Sequence, residues 1–355
     1  MRRLGVAVAG LGTIGRVHVE AIKEIEKSSG IAKLVAVLSR DRAKVEELAR
    51  SYGVKGCLTE KEVARDPEVD VVIVATPTYL HGPQAIFYME YGKHVIVEKP
   101  MATSLVEARE MIAKSRKLGV KLGVVFQERY AHDIAMLKKI IDDGGLGKLL
   151  LIEGDMKWWR GEEDYYLRGR DSRSWRGMWG TEGGGALTNQ GIHTVDLLIW
   201  FGGDVELVAG MIANLSHPSI TVEDTAVASM RFKSGALGTL VATVSAQPPT
   251  MQYRKIRVFG TEGRAEITDR TLTHLFTSSG RRVSHAEQPK SDTLKQGVEL
   301  HRRLLEDFLS ALLEDKDFPI PGEDGIKSLE LVKAIYLSSR MKSFVKLPLD
   351  IDILV

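Results

Sequence analysis

Apolar positions in the first third of the chain fall in short blocks. Residues 4–9, 31–38, 69–75 and 94–97 are runs rich in Val, Ile, Leu and Ala, the pattern of strands buried on both faces. Between them the apolar residues recur at helical spacing, as at Val17, Ala21, Ile22 and Ile25 and again over 82–91. Strand and helix in alternation predict βαβ units and a doubly wound, mostly parallel sheet; past Gly119 the pattern changes, beginning with one more strand at 120–126. A helix follows over 131–141, closed by Asp143-Gly144-Gly145. Beyond residue 148 the pattern changes to long alternating segments at 149–158, 205–216, 225–232, 236–246, 255–259 and 264–268. Period-two patterning joined by turns such as Lys233-Ser234-Gly235 predicts a large, open, mostly antiparallel sheet. Helices near 298–313 and 325–339 are expected to cover one face of it. The expected architecture is an α/β Rossmann domain over 1–122 and an α+β domain over 123–355.

The ends of the predicted parallel strands carry the chemistry, because ligands bind such sheets beyond the carboxyl ends of their strands. The first strand runs into Gly10-Leu11-Gly12-Thr13-Ile14-Gly15 and then a helix, the context a dinucleotide fingerprint requires. The glycines allow a tight turn, close approach of a pyrophosphate and close helix–strand packing, and the helix start offers N–H groups to phosphate. The second strand ends in Ser39-Arg40-Asp41 where an acidic residue would bind the ribose of NAD. A hydroxyl and a guanidinium suit a 2′-phosphate, so NADP is favoured; the alternative is NAD, with Asp41 turned to the ribose and Arg40 stacked on adenine. Two further strand ends carry Thr76-Pro77-Thr78-Tyr79-Leu80-His81 and Glu98-Lys99-Pro100. On this pattern the cofactor contacts are Gly10, Gly12, Thr13, Ile14, Gly15, Ser39, Arg40, Thr76, Pro77, His81, Glu98, Lys99 and Gln127. Lys99 is also a candidate to hydrogen-bond a substrate hydroxyl and stabilise developing negative charge, against the plain reading of a surface lysine at a strand end.

In the second half, Gly183-Gly184-Gly185 precedes a helix-compatible run carrying Asn189 and His193. Four residues apart on a helix, an amide and an imidazole share a face, beside a backbone too bare to obstruct a ligand. Asp196 is expected to anchor this helix or orient the imidazole. Upstream, arginines and aromatics interleave over 157–179, among them Arg160, Tyr166, Arg168, Trp175 and Arg176. Guanidinium groups pair with phosphate or carboxylate and aromatic faces take sugar rings, so this stretch reads as a loop for an anionic sugar, with a subunit interface as the alternative.

Composition narrows the field. The 355 residues suffice for two domains, and 44% hydrophobic with 27% charged residues excludes disorder. A net charge of +2 argues against nucleic acid as partner. The single cysteine, Cys57, fits a reducing compartment, and no Cys/His spacing resembles a metal site. The apolar run after Arg2-Arg3 is broken by glycines, and no uninterrupted stretch reaches membrane-spanning length. A cytoplasmic protein without membrane contact is expected.

With these residues in place the chain resembles the glucose–fructose oxidoreductase and inositol dehydrogenase (Gfo/Idh/MocA) family over essentially its whole length. The resemblance rests on Gly10–Gly15, Ala75-Thr76-Pro77, Glu98-Lys99-Pro100, Gln127-Glu128-Arg129-Tyr130, Gly183-Gly184-Gly185, His193-Thr194-Val195-Asp196, Glu223-Asp224-Thr225-Ala226 and Gly260-Thr261-Glu262-Gly263. It implies hydride transfer between NADP or NAD and a secondary hydroxyl of a sugar, sugar phosphate, nucleotide sugar or cyclitol. It further implies Lys99 as the residue orienting the hydroxyl, His193 as general acid/base, and a homodimer or homotetramer built through the second sheet. Many members carry aspartate where this chain has Asn189, which cannot take a proton; members resembling dehydrogenases of UDP-N-acetylglucosaminuronate tend to share the asparagine. Substrate contacts are then expected from Lys99, Arg129, Arg160, Tyr166, Arg168, Trp175, Arg176, Asn189 and His193. Two rival readings are an NAD-dependent glycoside hydrolase and a non-catalytic cofactor sensor.

Overall fold

The computed structural model describes residues 3–167, 175–280, 282–284 and 293–350. They form two compact units, one of 1–127 with 290–326 and the other of 128–289 with 327–355. The chain thus returns to the first unit after building most of the second.

The first unit is organised by six parallel strands: β1 (Leu4–Ala9), β2 (Ala32–Leu38), β3 (Lys55–Cys57), β4 (Val71–Val74), β5 (His94–Val97) and β6 (Leu122–Val124). Their order is β3-β2-β1-β4-β5-β6. β1 pairs with both β2 and β4, so the winding direction reverses at β1, where Gly10 follows. The apolar blocks of β1 and β4 are wholly buried, as runs without alternation demand. The intervening helices are α1 (Thr13–Ser28), α2 (Arg42–Tyr52), α3 (Glu60–Ala64), α4 (His81–Glu90) and α5 (Leu105–Leu118). Local chemistry sets their limits. Ser104 caps α5 by accepting from Glu107 N, and Gly119 closes it at φ +67°.

In the second unit, α6 (His132–Asp142) precedes β7 (Leu149–Lys157), then α7 (Trp179–Glu182), α8 (Ile192–Gly202), β8 (Val205–Ala213), β9 (Thr225–Phe232), β10 (Leu237–Thr243), β11 (Tyr253–Gly260), β12 (Gly263–Thr268), β13 (Thr271–Thr277) and β14 (Arg282–Ser284). Helices α9 (Thr293–Leu313) and α10 (Gly322–Met341) and the short β15 (Val345–Lys346) complete the chain. Nine strands form one sheet in the order β14-β13-β12-β11-β7-β10-β9-β8-β15. Every pairing is antiparallel except β7 with β10. The alternation reads directly in β9, where Ala226, Ala228, Met230 and Phe232 face inward and Val227, Ser229 and Arg231 outward. Met211, Val227 and Leu237 are exposed, with Met211 and Val227 paired in register. Among the described residues no helix is long and apolar enough to cross a membrane.

Candidate active site

In the first unit, Gly10 makes the turn out of β1 at φ +100°, and a Cβ there would lie 2.4 Å from the Ala75 carbonyl oxygen. Only glycine fits. Gly12 then occupies the N-cap of α1 with no side-chain hydrogen bond, no acidic residue follows in the first turn, and Gly12 and Thr13 are exposed. The helix N-terminus therefore keeps its N–H groups and positive dipole end for an anion. A groove of about 520 Å³ lies alongside, lined by Leu11, Gly12, Thr13, Arg16, Val17, Glu20, Lys44 and Val298.

At the end of β2, Asp41 is already occupied. It caps α2 by accepting from Lys44 N and pairs with Lys44 Nζ at 3.1 Å. Ser39 is half-buried and accepts from Asp41 N, while Arg40 is exposed and has no ion pair among the described residues. At the next strand ends, Thr76 Oγ1 donates to Gln84 Oε1 at 2.7 Å. Gln127 Oε1 is buried without a hydrogen-bond partner among the described residues, which is how a cofactor-facing amide looks before its ligand arrives. These features fit a dinucleotide.

Two of the expected cofactor contacts are turned inward. His81 is buried, its Nδ1 2.8 Å from the Pro100 oxygen and Nε2 2.8 Å from the Thr76 oxygen. It ties two loops together, and burial lowers its pKa. Glu98 is likewise buried, with His18 Nε2 2.9 Å and His301 Nε2 3.5 Å from its Oε1. Burial raises its pKa, but the two imidazoles, His18 hydrogen-bonded and His301 close by, together outweigh this and hold it well below the usual carboxylate range. Its second oxygen accepts from Lys99 N at 3.1 Å. Glu98 thus anchors the backbone from which the half-buried Lys99 projects, and the Lys99–Pro100 peptide is cis. His18, Glu98 and His301 are also the one His/Glu cluster among the described residues with metal-ligand spacing.

In the second unit the segment after the triple glycine is not a plain α-helix. Leu187–Gly191 is a π-turn running into α8, a form that recurs at functional sites. The glycines fit it closely: a Cβ on Gly185 would lie 1.9 Å from the Glu223 backbone oxygen. The Glu223 side chain caps the turn, accepting from Gly185 N at 2.8 Å, Leu187 N at 2.9 Å and the Tyr336 hydroxyl at 2.8 Å. Even so, burial pushes its pKa up to about 7. His193, 8% exposed, sits on the first turn of α8. Near it Glu128 is buried between Arg254 and Arg270, and these cations, with a smaller contribution from His193, hold its carboxyl far below the usual range against the opposing effect of burial.

The expected substrate contacts divide. Arg129 is not available to a ligand: buried, it donates to Asp196 Oδ2 at 2.9 Å and Oδ1 at 2.6 Å, which gives Asp196 the role of anchoring α8. Tyr166 also points inward, into a small core with Ile220 and Val222. Arg160 and Arg176, by contrast, flank the Tyr165 ring at 5.4 and 5.1 Å. Arg160 also lies over Trp158 and Arg176 over Trp175, each at 4.7 Å. Arg160's backbone oxygen is held by His217 Nε2 at 2.7 Å. Arg168 lies outside the described residues. Asn189 donates through Nδ2 to Glu182 Oε1. Gln190 and Tyr165 lie within the expected motifs but were not among the expected contacts, and Glu182 was not expected at all, although it directly precedes the triple glycine, where an acidic side chain is close to the turn.

Comparison with known proteins agrees with this picture. Residues 4–126 match the oxidoreductase family with an NAD-binding Rossmann fold, and 134–266 match the GFO/IDH/MocA C-terminal domain. The WlbA dehydrogenase from Bordetella pertussis, solved with NADH and UDP-GlcNAcA, is 29% identical over 98% of this chain and all of that one, with a TM-score of 0.85. Its Chromobacterium violaceum counterpart, in the same complex, is 31% identical over 99% and 98% of the two chains, again with a TM-score of 0.85. Myo-inositol 2-dehydrogenase from Thermotoga maritima is 28% identical over 96% of this chain and 98% of its own length. The chain is an oxidoreductase of the Gfo/Idh/MocA family.

Proposed function

We propose that the protein oxidises a secondary hydroxyl of an anionic sugar, best of all a nucleotide sugar bearing a carboxylate, with NADP as acceptor. The observation that carries the substrate class is the pair of guanidiniums on Tyr165: two cations share one ring, with no carboxylate paired to either among the described ion pairs. Such a pair is unfavourable by itself and favourable around an anion. The similarity to the two WlbA enzymes, whose complexes hold UDP-GlcNAcA, supports the same class.

Gly12, Thr13 and Ile14 at the start of α1 would hold the pyrophosphate, with Ser39 and Arg40 at the adenosine ribose and Thr76, Pro77 and Gln127 farther along. The nicotinamide, when bound, supplies the hydride acceptor. His193 removes the proton of the reacting hydroxyl as general base. The Lys99 ammonium orients that hydroxyl and stabilises the negative charge that develops on its oxygen. Glu98 keeps Lys99 in place through its backbone. Association into a homodimer or homotetramer through the exposed face bearing Met211, Val227 and Leu237 is part of the same proposal.

The test is a panel of free sugars, sugar phosphates, cyclitols and UDP-sugars, each with NADP and NAD, followed at the absorbance of the reduced cofactor. Turnover confined to neutral sugars or cyclitols overturns the anionic class. Release of an aglycone with no net reduction selects the glycosidase reading.

Cofactor choice has its own prediction. Asp41 is spent on Lys44 and the α2 cap, leaving Arg40 to meet the ribose substituent. Arg40→Ala is expected to weaken NADP about 10- to 100-fold, as loss of charged hydrogen bonds to phosphate would, and to change NAD affinity little. Titration of both cofactors by fluorescence checks this; equal losses for the two would refute a 2′-phosphate contact.

A further inference from the structure

The Asn189 amide has one end that donates and one that accepts, and which end faces a ligand matters for a site that handles hydroxyls. The structure settles its orientation through a chain of side chains. Asn189 Nδ2 donates to Glu182 Oε1. Gln190 Nε2 donates to Asn189 Oδ1 and to the Tyr165 hydroxyl, both at 3.1 Å. The other Glu182 oxygen accepts from Gly177 N at 2.5 Å. Every direction in this chain follows from one group, because an ionised carboxylate only accepts.

We infer that Glu182 is a positioning residue that sets the polarity of Asn189, so that a substrate hydroxyl meets an acceptor oxygen at that position. The inference rests on the proposal that His193 meets the substrate and on the expectation that Asn189 shares its face. Glu182 is 1% exposed. Arg176 and Glu223 act on its charge in opposite senses, and Tyr166 lies close enough to feel it. Burial is the largest influence and pushes the carboxyl up to about 7, against the hydrogen bonds from Gly177 and Asn189 and the charge of Arg176. Above that pH the carboxylate accepts from Asn189 as observed. Below it the added proton needs an acceptor, while both bonded neighbours are donors. The amide must then turn over, presenting its NH2 toward Gln190, whose own amide has to turn with it to keep the contact. Position 189 is therefore a two-state element, biased by one buried proton.

The decisive experiment exchanges the two functional groups. Glu182→Gln and Asn189→Asp should each lower kcat/KM for the sugar by about 10-fold or more, since each leaves a buried polar atom mispaired. NADP affinity should stay within about two-fold of the wild type, because the glycine turn is untouched. In the double variant E182Q/N189D the amide installed at 182 donates to the carboxylate installed at 189, and activity should recover to within a few-fold of the wild type. A double variant that binds NADP normally but is no more active than the worse single one overturns the inference.

A second readout needs no substrate. In wild-type protein the Asn189 side-chain amide resonances should shift with a midpoint near pH 7, and in E182Q they should not. Resonances insensitive to pH across neutrality would overturn the two-state element even if turnover is never found. Failure of the substrate panel alone would count against the proposed activity and leave this result standing.

Discussion

Replacing His193 by alanine is expected to lower kcat by about 10²–10⁴-fold, the usual contribution of a general base, with cofactor affinity nearly unchanged. The size follows from what the variant loses. The side chain lies on the first turn of α8, 8% exposed, within electrostatic range of a Glu128 carboxylate kept charged by Arg254 and Arg270. Alanine preserves the helix, since it is the best helix former, and leaves the cofactor-binding unit untouched. Pre-steady-state mixing of enzyme, nicotinamide cofactor and sugar separates the chemical step from binding, and the loss should fall on that step. Unchanged turnover would remove His193 from the mechanism.

The second large effect is on stability. Asp196→Ala is expected to destabilise the protein by about 3–5 kcal/mol, the cost of leaving one member of a buried ion pair without its partner. Asp196 is 1% and Arg129 8% exposed, and the pair is bidentate at 2.6 and 2.9 Å. Ser328 Oγ, 3.3 Å from Asp196 Oδ1, cannot replace it as a partner for a cation. Urea denaturation gives the measurement. Arg129→Met combined with Asp196→Leu should restore much of the loss, because a well-packed apolar pair substitutes for a buried ion pair at little cost. A single variant within about 1 kcal/mol of the wild type would show that water reaches the guanidinium.

The reading of the chain succeeded where one local pattern dominates. The blocks that became β1, β2, β4 and β5 were legible because a strand buried on both faces has no polar alternation to confuse it. The glycine turn was legible because few contexts need three glycines at that spacing. Helices α2 and α5 were passed over although Val45 and Leu48, and Leu105, Ala108, Met111 and Ile112, recur at helical spacing; Asp41, Ser104, Gly53 and Gly119 delimit them. The parallel pairing of β7 with β10 was hidden, since alternation fixes which side chains face inward but not the direction of the neighbour. At the candidate site, the motif pointed to Lys99, Asn189 and His193 but carried no information on orientation. Arg129, Tyr166, His81 and Glu98 all carry chemistry-bearing groups, and all are spent internally on Asp196, a small core, two backbone carbonyls and two imidazoles. Only three-dimensional partners reveal such commitments. For the same reason Glu182 escaped notice: its importance comes from Asn189, a partner on the far side of three glycines.

The return of residues 290–326 to the first unit has a consequence for how the molecule is made. His301 on α9 approaches Glu98, and Gly123 at β6 bridges Pro321, so the nucleotide-binding half lacks part of its interior until residues 290–326 have been synthesised. A ribosome that has translated residue 127 has delivered a sheet whose covering residues Phe308 and Phe318, which pack against Gly123 and stack at 5.1 Å, are still untranslated. The intervening polypeptide must emerge first, and the early half waits, unfinished, for the late helix to close it.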